Sequence, residues 1–143
     1  MTIALDANVL VHAHRSDSPR HAAATRKLAE LAAGPQQIAV PWTVIYQFLR
    51  VVTHARVFSA PSPAGVAWRF CEDLFEFPDL VLLSETERHA AVLEELLATV
   101  APVGNHVHDA HIAAAMIEHG VRDIVTTDAG FRRFPGIRVI GLE

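Results

Sequence analysis

Three aspartates occupy positions from which acidic side chains can gather. Asp6 directly follows the apolar run Ile3-Ala4-Leu5, Asp109 lies early in a helical stretch, and Asp128 directly follows Val125-Thr126-Thr127. Carboxylate oxygens without accompanying thiolates suit Mg2+ or Mn2+, and a cluster of them is costly unless a cation offsets their mutual repulsion. Such a cation lowers the pKa of a bound water, orients a phosphate and neutralises the charge that grows on a leaving oxygen. Taken one at a time, helix N-capping is the commoner reason for an aspartate at such a position. The conjunction of three favours metal-assisted chemistry. Asn8 and Thr127 adjoin the acids and have the groups needed to orient carboxylates or metal-bound waters; satisfying backbone turns is their competing use.

Further polar residues belong to the same question. Thr43, Gln47, Arg50 and His54 recur as a polar stripe on a helix whose other side is apolar. If the stripe faces a pocket, Arg50 and His54 can meet phosphates, with Arg56, Arg132 and Arg133 as weaker candidates; a solvated helix face explains the stripe equally well. His106, His108 and His111 surround Asp109 and offer a zinc alternative. Their order departs by one position from the His-x-His-x-Asp-His signature of metallo-β-lactamase-like hydrolases, which makes that the lesser reading. His12, His14, His21, His89 and His119 are scattered and read as surface or helix-end residues.

Positioning these residues requires a scaffold, and strand-like and helix-like patterns alternate along the whole chain, the sign of a parallel sheet covered by helices. Strands are expected at Ile3–Leu5, Ile38–Val40, Leu80–Leu83, Ile124–Thr126 and Val139–Ile140. The helix Asn8–His14 follows the first strand. Ser18-Pro19 and Ser62-Pro63 read as N-caps with proline in the first turn, opening helices that end at Gly34 and near Phe75. From Trp42 to Thr53, the residues Val44, Ile45, Phe48, Leu49 and Val52 form one apolar helical face. Ser84 and Glu87 make a capping box for a helix reaching Val100, and His108–His119 stops at Gly120. The fold class is therefore α/β, a three-layer sandwich with a central parallel sheet of about five short strands. In such sheets ligands bind at the carboxyl ends of strands, where Asp6 and Asp128 converge and Asp109 joins from its helix.

A chain of 143 residues with 51% hydrophobic and 20% charged residues fits one folded domain spanning 1–143 with no disordered tract. The single cysteine, Cys71, lies in an apolar run and reads as a core residue. Asp6 interrupts the only apolar run at the N-terminus, so neither a signal peptide nor a membrane span is expected, and the cytoplasm is the expected location. A net charge of −4 excludes a broad electrostatic grip on nucleic acid, so any RNA substrate needs cations at the carboxylates. Phe58, Trp68, Phe70, Phe75 and Phe77 exceed what a small monomer comfortably buries and predict a covered apolar surface.

Leu5-Asp6-Ala7-Asn8-Val9-Leu10, Val107-His108-Asp109-Ala110-His111-Ile112-Ala113-Ala114 and Val125-Thr126-Thr127-Asp128-Ala129-Gly130-Phe131 resemble, in order, the three acidic motifs of the PIN domain, specifically of its small VapC-type toxins. Phe48-Leu49-Arg50-Val51-Val52-Thr53-His54 and Arg56-Val57-Phe58 are similar to the stretch after strand two in a mycobacterial-type subgroup. The resemblance covers essentially the whole chain. It implies an Mg2+- or Mn2+-dependent endoribonuclease toxin of a type II toxin–antitoxin system, with Asp6, Asp109 and Asp128 as catalytic metal ligands. A homodimer and inhibition by a cognate antitoxin are implied as well. Many such nucleases carry a glutamate where Gln47 stands; glutamine offers a carbonyl oxygen to a metal-bound water but no charge. A non-catalytic module binding RNA or protein is the alternative that this departure keeps in view.

Overall fold

A computed structural model describes all 143 residues. Strand β1 (Thr2–Leu5) leads into α1 (Ala7–His14) and α2 (His21–Ala33), β2 (Gln37–Pro41) into α3 (Trp42–Val52) and α4 (Ala64–Phe75), and β3 (Val81–Leu83) into α5 (His89–Val100) and α6 (His106–Glu118). The chain closes with β4 (Asp123–Val125), a 3-10 turn at Ala129–Arg133 and β5 (Arg138–Ile140). The five strands form one all-parallel sheet in the order β3-β2-β1-β4-β5, flanked by the six α-helices. This is the α/β sandwich that the alternating pattern predicts. Ile3, Ala4, Leu5, Ile38, Ala39, Val40, Ile124 and Val125 are all buried. Strands covered on both faces read as such continuous apolar runs, without the alternation of a half-exposed strand.

β1 is central, with β2 on one side and β4 on the other, so the winding direction reverses beside it. Crevices outside the carboxyl ends of strands form at such points. Leu5 pairs with Val125 in the β1–β4 register, so Asp6 and Thr126 emerge side by side at this crevice. The opposite end of the same strand pair carries a fixed ion pair, with buried Asp123 receiving two hydrogen bonds of 2.8 Å from Arg138 of β5.

Val44, Ile45, Phe48 and Val52 of α3 are buried, as their spacing predicts. Phe48 stacks on Phe70 of α4 with ring centroids 5.1 Å apart, and the ring of His14 meets both edge-on. His14 is therefore a packing residue, not a surface one; burial first, then the charge of Arg15, lowers its pKa. Cys71 is buried, and burial pushes its thiol up to about 11, which keeps it protonated and unreactive.

None of the three expected serine N-caps forms, two of them because the serine serves other partners. Ser18 Oγ accepts from Arg20 N and contacts His12 Nδ1, building a turn, so α2 begins only at His21 with Arg20 as its N-cap. Ser62 Oγ bonds His14 Nε2 and Arg15, which leaves α4 to start after Pro63 without a side-chain cap. Ser84 and Glu87 form no capping box, because Thr86 N and Oγ are both drawn to Glu118 Oε1 and α5 begins at His89. Gly34 does close α2. Helix α6 starts at His106, two residues earlier than expected.

Most of the aromatic series packs inside the monomer: Phe58, Phe70, Phe75 and Phe77 lie against the core, and only Trp68 stays exposed. Besides Met1, the exposed large apolar residues are Tyr46, Val57, Val66 and Trp68 around α3 and α4, with Leu97, Val103 and Val107 around α5 and α6. No helix is long and apolar enough to cross a membrane.

Candidate active site

Asp6 caps α1 at the carboxyl end of β1, its Oδ1 accepting from Ala7 N at 2.7 Å. Its other oxygen accepts from Thr126 Oγ at 2.7 Å and from Asn8 Nδ2 at 3.1 Å. Asp128 caps the 3-10 turn, with Oδ1 accepting from Gly130 N at 2.8 Å. Asp109 sits in the first turn of α6, where His106 Nδ1 lies 3.2 Å from its Oδ2. Two of the three acids are therefore helix caps and pocket residues at once. The three line one half-open cavity of about 240 Å3, together with Ala7, Asn8, Val11, His12, Gln47 and Val51. That is room for a hydrated ion and several waters, each taking about 30 Å3.

The electrostatics follow from crowding acids in a poorly hydrated place. Asp6 has its pKa raised to about 6, first by burial and further by the charges of Asp109 and Asp128, against the lowering pull of its bonds from Thr126 and Ala7. Asp109 is also raised, again by burial first and by Asp128, with His106 and Arg133 pulling the other way. No lysine or arginine lines the cavity. The charge deficit, three converging carboxylates and the buried Nε2 of Gln47, which has no hydrogen-bond partner, together fit a small hard cation with its waters. The acid oxygens do not all lie within 4.8 Å of one another, whereas those of the separate set Glu85, His89 and His111 do. An ion that keeps part of its hydration shell spans such a gap.

Neighbouring polar residues divide sharply. Asn8 ties the centre together, its amide nitrogen bonding Asp6 and Thr126 and its Oδ1 accepting from Thr127 N at 3.2 Å. Thr127 thus contributes its backbone, while Thr126 supplies the hydroxyl, which also accepts from Asp128 N at 2.9 Å. The polar stripe of α3 splits. Gln47 faces the cavity, but Arg50, His54 and Arg56 do not line it. At ~100° per residue, Val51 is rotated about 40° from Gln47 whereas Arg50 is rotated about 60° the other way, and Val51 is on the cavity side. His54 Nδ1 instead accepts from Arg56 N at 3.0 Å, closing the turn after α3. The histidines around Asp109 disperse too: His106 contacts Asp109, His108 is exposed, and His111 pairs with Glu85. A zinc site built from those three does not form.

Thr126 and Val51 are not marked by the sequence, and His12, expected at the surface or a helix end, instead lines the cavity. Thr126 owes its place to the β1–β4 register, which no local pattern encodes; its only signal is membership of the run leading to Asp128.

Residues 3–137 match the PIN domain family model. Ribonuclease VapC43 of Mycobacterium tuberculosis is 36% identical over 136 residues, covering 95% of this chain and 92% of the relative. Ribonuclease VapC48 of the same organism is 36% identical over 139 residues, covering 97% and 96%. Among solved structures, VapBC2 of Rickettsia felis bound to a promoter DNA fragment superposes with a TM-score of 0.74 at 19% identity, covering 99% of this chain and 98% of that one. The M. tuberculosis VapC20 toxin, described as cleaving the sarcin–ricin loop, gives 0.69 at 17% identity, covering 95% and 98%. The family match over residues 3–137 and 36% identity across nearly the whole length of such relatives show that this chain belongs to the PIN-domain family, in its VapC ribonuclease branch.

Proposed function

We propose that this chain acts as one PIN domain, a toxin endoribonuclease that cleaves RNA phosphodiester bonds with Mg2+ or Mn2+ held by Asp6, Asp109 and Asp128. The observation that carries the reading is the meeting of three acids from three separate elements in one cavity without a lining cation. A bound divalent ion would supply an activated water and neutralise charge on the phosphate and leaving oxygen. Asn8 and Thr126 hold Asp6 in one orientation, so its free lone pairs point to a fixed place. Gln47 Nε2 has a spare N–H to donate to a phosphate oxygen or a water. Arg133 acts electrostatically on Asp109, and Arg20 and Arg132 line a depression with Thr126 and Thr127, which follow β4 beside the acids. They are better placed for RNA phosphates at the acids than Arg50, His54 and Arg56, which serve a more remote stretch of the strand.

The solved neighbours include VapBC complexes of Salmonella typhimurium and Haemophilus influenzae. By that likeness a cognate antitoxin inhibits this chain, and the cytoplasm is the proposed location. The exposed group Tyr46, Val57, Val66 and Trp68 is the surface offered to it, and Leu97, Val103 and Val107 are offered to a twin subunit. End-labelled RNA incubated with the purified protein tests the catalytic reading. Discrete fragments are expected with Mg2+ or Mn2+ and none with excess chelator. RNA that is bound but uncut under every metal condition would establish a binding module instead.

A further inference from the structure

Helix α6 carries Asp109 into the acidic cavity, but His111 two residues on is rotated by about 200° and faces away from it. There it meets residues that the catalytic reading does not use. Glu85, His89 and His111 each present one ligand atom, and these atoms all lie within 4.8 Å of one another. His111 Nε2 lies 2.6 Å from Glu85 Oε1, and the rings of His89 and His111 are 5.4 Å apart. His89 is already oriented, because its Nδ1 lies 2.6 Å from Oε2 of the fully buried Glu118, which leaves Nε2 as its free nitrogen. A carboxylate holding one imidazole nitrogen is the arrangement that fixes the tautomer and direction of a metal-ligating histidine. Glu118 is itself anchored by Thr86 N and Oγ at 2.8 and 2.7 Å.

Two imidazoles and one carboxylate suit zinc, in contrast to the three carboxylates of the acidic cavity, which suit Mg2+ or Mn2+. Three protein ligands leave a fourth tetrahedral position for water or for a partner's side chain. Glu85 is half exposed and His111 is one-third exposed, so an ion has a path in. We propose that Glu85, His89 and His111 form a zinc site, separate from the aspartates, that clamps the β3–α5 connection and the start of α5 onto α6.

Full-length protein, freed of metal by chelation and exchanged into buffer with saturating Mg2+, is titrated with Zn2+ against a chromophoric chelator. One zinc per chain is expected in the wild type and in the double variant Asp6→Asn/Asp109→Asn. Affinity should fall about 100-fold in His111→Gln and about 10-fold in Glu85→Gln, which keeps the shape of the side chain. Co2+ should give the intense visible bands of four-coordinate nitrogen–oxygen ligation in the wild type and lose them in His111→Gln, with circular dichroism verifying that each variant is folded. Zinc binding that disappears in the aspartate double variant but persists in His111→Gln would overturn the proposal. So would the absence of binding below about 100 μM zinc, or equal weakening in both kinds of variant.

Discussion

Two buried carboxylates, one at the end of a strand and one in the last turn of a helix, meet opposite fates. Asp6, at the carboxyl end of β1, is driven up to about 6, whereas Glu118, at the last turn of α6, is held below its ordinary value. Burial opposes ionisation in both, and is the largest influence on each. Around Glu118 it is outweighed by His89 and by the N–H and hydroxyl of Thr86, all aimed at the charge. Around Asp6 the fixed donors are outweighed, because Asp109 and Asp128 add repulsion and no protein cation enters. A buried acid whose charge the chain satisfies is a structural device. One that the chain leaves in deficit is waiting for a cation.

The largest effects should fall on the deficient end. Asp6→Asn, Asp109→Asn and Asp128→Asn each should cut RNA cleavage by about 10²- to 10³-fold or more, the scale of removing one electrostatic contributor to a transition state, while leaving the folded circular dichroism spectrum intact. Full activity in any two of the three would remove the aspartates from the chemistry and erase the contrast with Glu118. At the satisfied end, Glu118→Ala should leave cleavage of the folded protein nearly unchanged but cost about 3 kcal/mol of stability. It orphans the Thr86 N–H and hydroxyl and the His89 ring together. Denaturant melts of the two kinds of variant side by side should therefore separate activity from stability cleanly.

The pH dependence sharpens the same contrast through its sign. The Asp6 pKa is raised in the folded state, so the folded protein holds that proton more tightly. Its contribution is fully present below the ordinary carboxylate value and is lost as pH rises through about 6. A shift from 3.8 to about 6 corresponds to about 3 kcal/mol at most. Metal-free protein should accordingly melt higher at pH 5 than at pH 7.5, and Mn2+ should restore stability at the higher pH. Asp6→Asn should flatten that limb and gain about 1–2 kcal/mol at pH 7.5, the amide giving up one acceptor in exchange for the lost charge. Glu118 works the other way: its pKa is lowered, so its contribution is present above the ordinary glutamate value and is lost as pH falls through the folded one. Glu118→Gln should flatten the acid limb alone. An Asp6→Asn curve that parallels the wild type from pH 5 to 7.5 would contradict the deficit.

The two ends were unequally legible in the sequence. The acids at the cavity stand beside strand ends and within motif-like runs, so Asp6, Asp109 and Asp128 were visible from type and position. The α/β order was visible too, because continuous apolar runs and apolar helix faces are local patterns. Thr126 and the Glu118 knot were not, since each depends on partners more than twenty-five residues away: Thr126 on Asp6, and Glu118 on Thr86 and His89. For the same reason the serines at positions 18, 62 and 84 misled. A serine before a helix signals a cap only if no other partner claims its hydroxyl or its neighbours; His14 and Glu118 do so from far along the chain, and His12 from the preceding helix. Helical periodicity placed Gln47 and Arg50 in one stripe, yet a turn of about 60° was enough to put only Gln47 in the cavity.

Gln47 is where the deficit can be tuned most gently, and it gives the smallest of the expected effects. Its side chain enters the cavity with Nε2 buried and unpartnered, so the position already faces the acids without contributing charge. Gln47→Glu keeps the shape and adds one negative charge to a cavity that already repels its own. Without metal the variant should be less stable above pH 6, because a fourth carboxylate deepens the repulsion that already raises Asp6 and Asp109. With metal the sign reverses: a charge a few ångströms from a divalent ion at intermediate effective dielectric is worth about 1 kcal/mol or more, or roughly a five- to tenfold tighter Kd. Cleavage at limiting Mn2+ should rise in proportion and converge with the wild type at saturation. Paired calorimetric titrations of Mn2+ into wild type and Gln47→Glu measure this directly. Superimposable isotherms would show that the side chain is screened by solvent and salt, and would take Gln47 out of the site.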